Sequence, residues 1–164
     1  MKYQTLLLLP LILLAACTSP PVAPPPAPEP KREKPVSQPK VEPKVIQSYA
    51  ATADAYKREI ARHISQSNLA FIYTERPQAL LRAVIVLKFS ISADGKLLQK
   101  EIVRTNRDKG AETTAFTSIT NAAPFPRPAI QLVQNGKFDV TETWLFNNDG
   151  RFQLRTIALP QIDE

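Results

Sequence analysis

The chain has 164 residues, a formal net charge of +6 and 43% hydrophobic residues, which predicts one modest folded domain. Its single cysteine and single histidine exclude an internal disulfide and a Cys/His zinc site. Its 4 glycines are scattered and match neither the P-loop nor the dinucleotide-binding motif, which excludes nucleotide binding by those devices.

Residues 1–16 are predicted to be a lipoprotein signal peptide. One lysine precedes an apolar run over residues 6–14, and Ala15-Ala16 supply the small residues that a signal peptidase needs. The run is too short for a transmembrane helix, which needs ~20 apolar residues. The segment Leu14-Ala15-Ala16-Cys17 resembles the lipobox of bacterial lipoproteins. The alternative is an ordinary signal peptide that happens to have a cysteine nearby.

The lipobox resemblance implies that Cys17 is the lipid attachment site. In that family the sulfur is diacylated, the chain is cleaved before the cysteine, and the new N-terminus receives a third acyl chain such as palmitate. Two membrane signals are already enough for stable anchoring. Because Thr18 rather than Asp follows the cysteine, the family's inner-membrane retention signal is absent. The expected location is therefore the periplasmic face of the outer membrane.

Residues 17–47 are predicted to form a periplasmic linker. Ten of the 16 prolines lie between residues 20 and 43, and residues 18–44 contain no aromatic residue, leucine or isoleucine. Such a segment cannot bury a core, so we expect a disordered chain rich in polyproline II. Fully extended, its 27 residues (18–44) reach roughly 80 Å. It is interpreted as a solvated spacer, with contact to peptidoglycan or to an SH3-like groove as the alternative.

Residues 48–164 are the part of the chain that can fold, and their first element is a predicted helix over residues 48–68. The apolar positions recur every three or four residues and are Ala53, Tyr56, Ile60 and Ile64. His63 lies at the edge of this stripe. No acidic or nucleophilic partner is indicated by spacing, so we interpret it as a boundary histidine and not a catalytic one.

A hairpin and a second helix are predicted next. Alternating apolar residues in 83–91 indicate a strand with one buried face. A turn over residues 92–96 leads into a second strand that ends near Thr105. A helical apolar stripe between Lys109 and Ala123 predicts the second helix, which ends at the proline-rich residues 124–128 because proline cannot continue it.

The last predicted elements are a third strand over residues 138–146 and a fourth over residues 152–157. The third strand alternates, with Phe138, Val140, Trp144 and Phe146 on one face and Asp139, Thr141 and Thr143 on the other. Asn147 to Gly150 is a strong turn signal. The order predicts an α+β domain with two helices on one face of a small three- to four-stranded, mainly antiparallel sheet.

Residues 49–147 resemble the C-terminal domain of TonB and its relative, the third domain of TolA. The shared features are the helix that ends before Arg76-Pro77, the strand-turn-strand unit from Val86 to Val103, the helix-to-proline run from Ala115 to Pro128, and a closing strand with Trp144 and Phe146. The proline-rich linker is also similar to TonB's periplasmic linker. TonB and TolA have an uncleaved inner-membrane helix that couples to a proton-driven motor. A lipid anchor cannot harvest energy by that route, so we do not expect this chain to be an energy transducer.

The resemblance implies a protein-binding domain that accepts a partner's extended segment at an open sheet edge. The expected partner is an outer-membrane receptor or a component of a Tol/TonB-type complex, in transport or envelope organisation. The expected binding strand consists of Phe138, Asp139, Val140, Thr141, Glu142, Thr143, Trp144, Leu145 and Phe146. If Arg151 to Leu159 pairs with this strand, it covers the edge, and Arg151 to Ile157 becomes the binding strand instead.

Other functions are less well supported by the sequence. A pI near 9.6 is compatible with a structural or assembly lipoprotein that binds peptidoglycan or another anionic polymer. The charges of residues 48–164 are interspersed, which does not favour nucleic acid. Asp94, Asp108 and Glu112 suit turns and helix starts, so we expect no enzyme, no metal and no cofactor. Both a monomer and a strand-swapped homodimer are compatible with the sequence.

Overall fold

The structure is a computed structural model that describes residues 46–161. The predicted signal peptide, the lipidation site Cys17 and the linker up to residue 45 lie outside the described residues. Within residues 46–161, two α-helices and a four-stranded antiparallel sheet confirm the predicted α+β class. Neither helix in this range is long and apolar enough to cross a membrane.

Both helices begin directly after a side-chain cap. Helix α1 (Ala53–Gln66) begins later than predicted because Thr52 is extended and its Oγ1 accepts a hydrogen bond from the Ala55 amide at 3.2 Å. Helix α2 (Lys109–Ala122) begins after Asp108, whose carboxylate accepts from the Ala111 amide at 3.0 Å. Local capping chemistry therefore sets where each helix starts.

The four strands are β1 (Ala83–Ser92), β2 (Leu97–Arg104), β3 (Lys137–Phe146) and β4 (Phe152–Leu154). They lie in the order β2-β1-β3-β4, and every neighbouring pair is antiparallel. Strand β4 is shorter than predicted. The amides of Ile157 and Ala158 both donate to the Leu154 carbonyl, at 3.0 and 2.9 Å, which turns the chain out of the sheet.

The core lies between the two helices and one face of the sheet. Its largest fully buried side chains are Trp144, Tyr56, Phe89, Phe125, Phe146, Phe152, Ile60, Ile64, Ile85, Leu87, Ile91 and Ile119. The Tyr56 ring meets the Phe138 ring edge-on at 5.0 Å, which joins α1 to β3. Removal of this apolar surface from water is the main force that holds both helices on the sheet.

Candidate functional site

The predicted binding residues all lie in β3, a central strand rather than an outer one. Strand β3 pairs with β1 along its whole length, from Lys137 opposite Ser92 to Phe146 opposite Ala83, without a break in register. Of the predicted residues, one set is buried under the helices and consists of Phe138, Val140, Glu142, Trp144 and Phe146. The others, Asp139, Thr141, Thr143 and Leu145, are on the opposite face of the sheet.

Among the residues that the structure describes, the segment after β3 covers the second side of this strand at its C-terminal part alone. Strand β4 pairs with Trp144, Leu145 and Phe146, and beyond it the Arg155 amide donates to the Thr143 carbonyl at 2.9 Å. The sequence predicts that residues 151–159 would cover the β3 edge if they paired with this strand. They do so from Thr143 to Phe146 and not along the rest of β3. Within residues 46–161, the N-terminal half of β3 pairs with no strand other than β1.

Two residues in that half have outward backbone groups without a partner. In an antiparallel strand, the N–H and C=O of alternate residues point to the same side. On the side away from β1, Lys137 exchanges two hydrogen bonds with Gln134, at 2.9 and 3.1 Å. The same alternation directs the backbone groups of Asp139 and Thr141 to that side. Within residues 46–161, no hydrogen bond reaches these outward groups. We call this stretch, Lys137 to Glu142, the open β3 edge.

Strand β2 forms one outer edge of the sheet, but its shape is less suited to pairing. Its register with β1 shifts at both ends, and the unmatched residues are Leu98 and Val103. These side chains are 51% and 58% exposed. Regular pairing is confined to Gln99–Ile102. Bulges twist an edge strand and interrupt its ladder, which is a common protection against strand addition.

The other outer strand, β4, is covered by the chain that leaves α1. The Tyr73 amide donates to the Phe152 carbonyl at 2.9 Å. The Gln153 Nε2 donates to the carbonyl of Tyr73 at 2.8 Å and also to that of Glu75. The Arg151 guanidinium lies 5.0 Å from the centre of the Tyr73 ring. Arg151 to Ile157, the alternative binding strand, is therefore occupied on its outer side at β4. The open β3 edge is the best candidate site.

Charged side chains flank this edge on the face away from the helices. The Asp139 carboxylate accepts from Ser90 Oγ at 2.5 Å and lies 2.9 Å from Lys137 Nζ. The hydrogen bond from Ser90, assisted by Lys137, holds the pKa of Asp139 below its usual range. Lys88 contributes more weakly to the same effect. The Asp139 carboxylate is therefore ionised and forms an ion pair with Lys137, so it does not offer an unpaired charge to a ligand.

The sequence predicts Glu142 only as one of the nine residues of the binding strand, although its position is in phase with Val140 and Trp144. Its side chain lies on the buried face of β3 and is 4% exposed. Burial raises the pKa of this carboxyl group. Its Oε1 accepts from the amide of Thr143 at 2.7 Å and from that of Thr156 at 3.4 Å. Glu142 is the C-terminal residue of the open β3 edge, and it contacts the segment that follows β4.

The remaining chemical candidates lie at opposite ends of α2, with His63 near its C-terminus and Asp108 and Glu112 at its N-terminus. His63 is half-buried, and its Nε2 lies 2.7 Å from the Ala122 carbonyl and 3.1 Å from that of Pro124. Asp108 caps α2 and pairs with Arg82, while Glu112 contacts Lys109 and Thr105. Among residues 46–161, no three His, Cys, Asp or Glu side chains form a group that could hold a metal ion.

Comparison with known proteins gives no relative for this chain: no family model, no curated protein and no solved structure matches it.

Proposed function

We propose that this protein is a lipid-anchored envelope protein whose folded domain binds an extended segment of another envelope protein at the open β3 edge. The observation that supports it best is the pair of unpartnered backbone positions at Asp139 and Thr141. They lie on a strand whose register with β1 is regular throughout. An added strand would lie in line with β4 and gain main-chain hydrogen bonds from both positions.

The sheet geometry supports this edge over the two alternatives. Strand β2 is interrupted by bulges at both ends, and β4 is covered by residues 72–75. The open β3 edge is short and lies beside a helix-covered core, so it suits a short extended segment better than a whole additional sheet. Affinity from so few backbone bonds depends on the side chains of the segment as well.

The anchor and the location are part of the same proposal. Three acyl chains at Cys17 would hold the domain at the periplasmic face of the outer membrane, and the proline-rich linker would let it reach a partner at a distance. The partner proposed on the TonB and TolA resemblance is an outer-membrane receptor or a component of a Tol/TonB-type complex. The role is binding, without energy transduction or catalysis.

Electrostatic binding of an anionic polymer is less well supported. The lysines that line the polar depression at β1 and β2 are Lys88, Lys100 and Lys137. Lys137 already pairs with Asp139. Lys100 donates to Thr120 Oγ1 at 2.5 Å and lies over the Phe116 ring. Only Lys88 of this set is free for an anion among the described residues, which is a weak basis for a polymer site.

Site-specific photocross-linking of the full lipidated chain in native envelopes tests the proposal. A photoreactive residue at Thr141 lies on the open β3 edge, and one at Val103 is the matched control because it is also exposed and lies on the outer strand β2. We expect one defined cross-linked protein from position 141 and little or none from position 103. Added salt should leave this cross-link in place, whereas polymer binding would weaken steeply.

A proline at position 139 provides the second half of the test. Asp139→Pro removes an outward N–H that the added strand would use, while Lys100→Pro removes an outward N–H from β2. The N–H of Lys100 points outward because this residue lies between Gln99 and Glu101, which bond to β1. If both proteins fold, the cross-link from position 141 should disappear only in the first. Equal cross-linking in the two proline variants, or equal yields from positions 141 and 103, would refute docking at β3.

A further inference from the structure

Glu142 is an acidic side chain on an otherwise apolar strand face. Its neighbours on that face, Val140 and Trp144, are 2% and 0% exposed. Burying a carboxylate is costly unless hydrogen bonds compensate for the lost water. No ion pair is formed with Lys57, whose charge is the weakest influence on this group. The burial of Glu142 is therefore compensated by hydrogen bonds to its carboxyl group and not by an ion pair.

The Glu142 carboxylate takes the place of a backbone carbonyl in the β3–β4 ladder. The Arg155 amide donates to the Thr143 carbonyl at 2.9 Å, which is one half of a regular antiparallel pair. In a continuous ladder, the Thr143 amide would donate back to the carbonyl of Arg155. Here it donates to Glu142 Oε1 at 2.7 Å instead. The second half of the pair is thus supplied by a side chain.

The same carboxylate also holds the turn that follows β4. It accepts from the Thr156 amide at 3.4 Å, while Ile157 and Ala158 donate to the Leu154 carbonyl. The chain therefore leaves β3 at the point where the Glu142 carboxylate accepts hydrogen bonds from the Thr143 amide on β3 and from the Thr156 amide just after β4. Continued pairing in the same register would have placed Ile157 opposite Thr141. The departure of the chain is what leaves Thr141 and Asp139 uncovered.

We infer that Glu142 is a positioning residue that ends β4 and keeps the β3 edge open for a docking segment, an inference that rests on the function proposed above. It acts by competing with the Arg155 carbonyl for the Thr143 amide and by capping the turn at Thr156. An apolar β-forming residue at this position would remove that competition. Strand β4 would then extend along β3 and occupy the docking edge with the protein's own chain.

The test compares Glu142→Val with Glu142→Gln in the full chain in detergent. Valine favours extended backbone and accepts no hydrogen bond. Glutamine keeps the acceptor at Oε1. Amide hydrogen exchange at Asp139 and Thr141, followed by NMR, reports directly on whether the edge is covered. We expect exchange at both amides to slow at least about tenfold in the valine variant and to stay near the wild-type rate in the glutamine variant.

If Glu142→Val does not fold, Glu142→Thr replaces it, because its short hydroxyl can bond locally but cannot reach both amides. Unchanged exchange at Asp139 and Thr141 in the folded variant would overturn the inference. The cross-link from position 141 is then measured in the same variants. Slower exchange with loss of the cross-link supports both proposals. Slower exchange with an unchanged cross-link supports the role of Glu142 in ending β4 and overturns β3 as the docking site.

Discussion

The indole Nε1 of Trp144 donates a hydrogen bond of 3.0 Å to the Oγ of Ser118, which joins the C-terminal part of β3 to α2 inside the core. Both side chains are almost completely buried, at 0% and 1% exposure. The Ser118 hydroxyl in turn donates to the Ala115 carbonyl at 2.8 Å. A buried indole N–H without a partner is costly, so this hydroxyl fixes the position of the helix over the strand.

Ser118→Ala should therefore destabilise the domain by about 1–3 kcal/mol, because it leaves the Trp144 N–H buried and unpaired. Urea unfolding of the purified protein measures this cost. Thr117→Ala, at an exposed position of the same helix, is the control and should change stability by less than about 0.5 kcal/mol. In Trp144→Phe the serine change should cost less, and full additivity of the two changes would contradict the coupling.

Gln153→Glu should detach the segment that covers β4. The substitution keeps the size of the side chain but replaces the Nε2 donor by an oxygen that faces the carbonyls of Tyr73 and Glu75. We expect a loss of about 1–3 kcal/mol in the free energy of unfolding. Amide exchange at Tyr73 should also become faster. Gln131→Glu, at an exposed position, makes the same change in charge and should alter neither measurement.

Glu142 should make stability decrease as the pH rises. Burial raises its pKa in the folded protein above the value in the unfolded chain, so the folded state binds the proton more tightly. The contribution of this group is fully present below the unfolded pKa and is lost as the pH rises through the folded pKa. The free energy of unfolding of the wild-type protein, relative to that of Glu142→Gln, should therefore fall as the pH rises from the ordinary pKa of glutamate through the raised pKa of Glu142.

Urea unfolding of both proteins at a series of pH values measures this difference. Glu101→Gln removes a negative charge from an exposed position on β2 and controls for the change in net charge. A wild-type minus Glu142→Gln difference that is constant with pH, or that grows as the pH rises, would show that the carboxyl group is not titrating as its burial requires.

Asp108 should have the opposite pH dependence. Its hydrogen bond from Arg82, followed by the one from the Ala111 amide, lowers its pKa in the folded protein. The stability that it contributes is present above the unfolded pKa and is lost as the pH falls through the folded pKa. Asp108→Asn keeps a cap acceptor but not the ion pair, so its stability should approach that of the wild type under acidic conditions. Asp94→Asn, in the exposed β1–β2 turn, is the control; a deficit of Asp108→Asn that persists unchanged in acid would argue against this role.

Local sequence patterns predicted most of the elements. The apolar spacing of Tyr56, Ile60 and Ile64 and the alternation in β1 and β3 depend on contacts that repeat within one element, so they are visible without the fold. The strand that carries the candidate site and the position of Glu142 in phase with its buried residues are local signals of the same kind. The hydrogen-bond partners of Glu142 were not visible, because Thr156 belongs to a segment beyond the next turn.

The sequence by itself determined the α+β class, the two helices and the strands, because burial periodicity and capping are properties of neighbouring residues. Only the tertiary structure decided which sheet edge is open. That depends on where β4 leaves β3, on the bulges around Leu98 and Val103, and on the cover that Tyr73 provides for β4. Each of these is a hydrogen-bonding choice between segments far apart in the chain, where several registers satisfy the same local pattern.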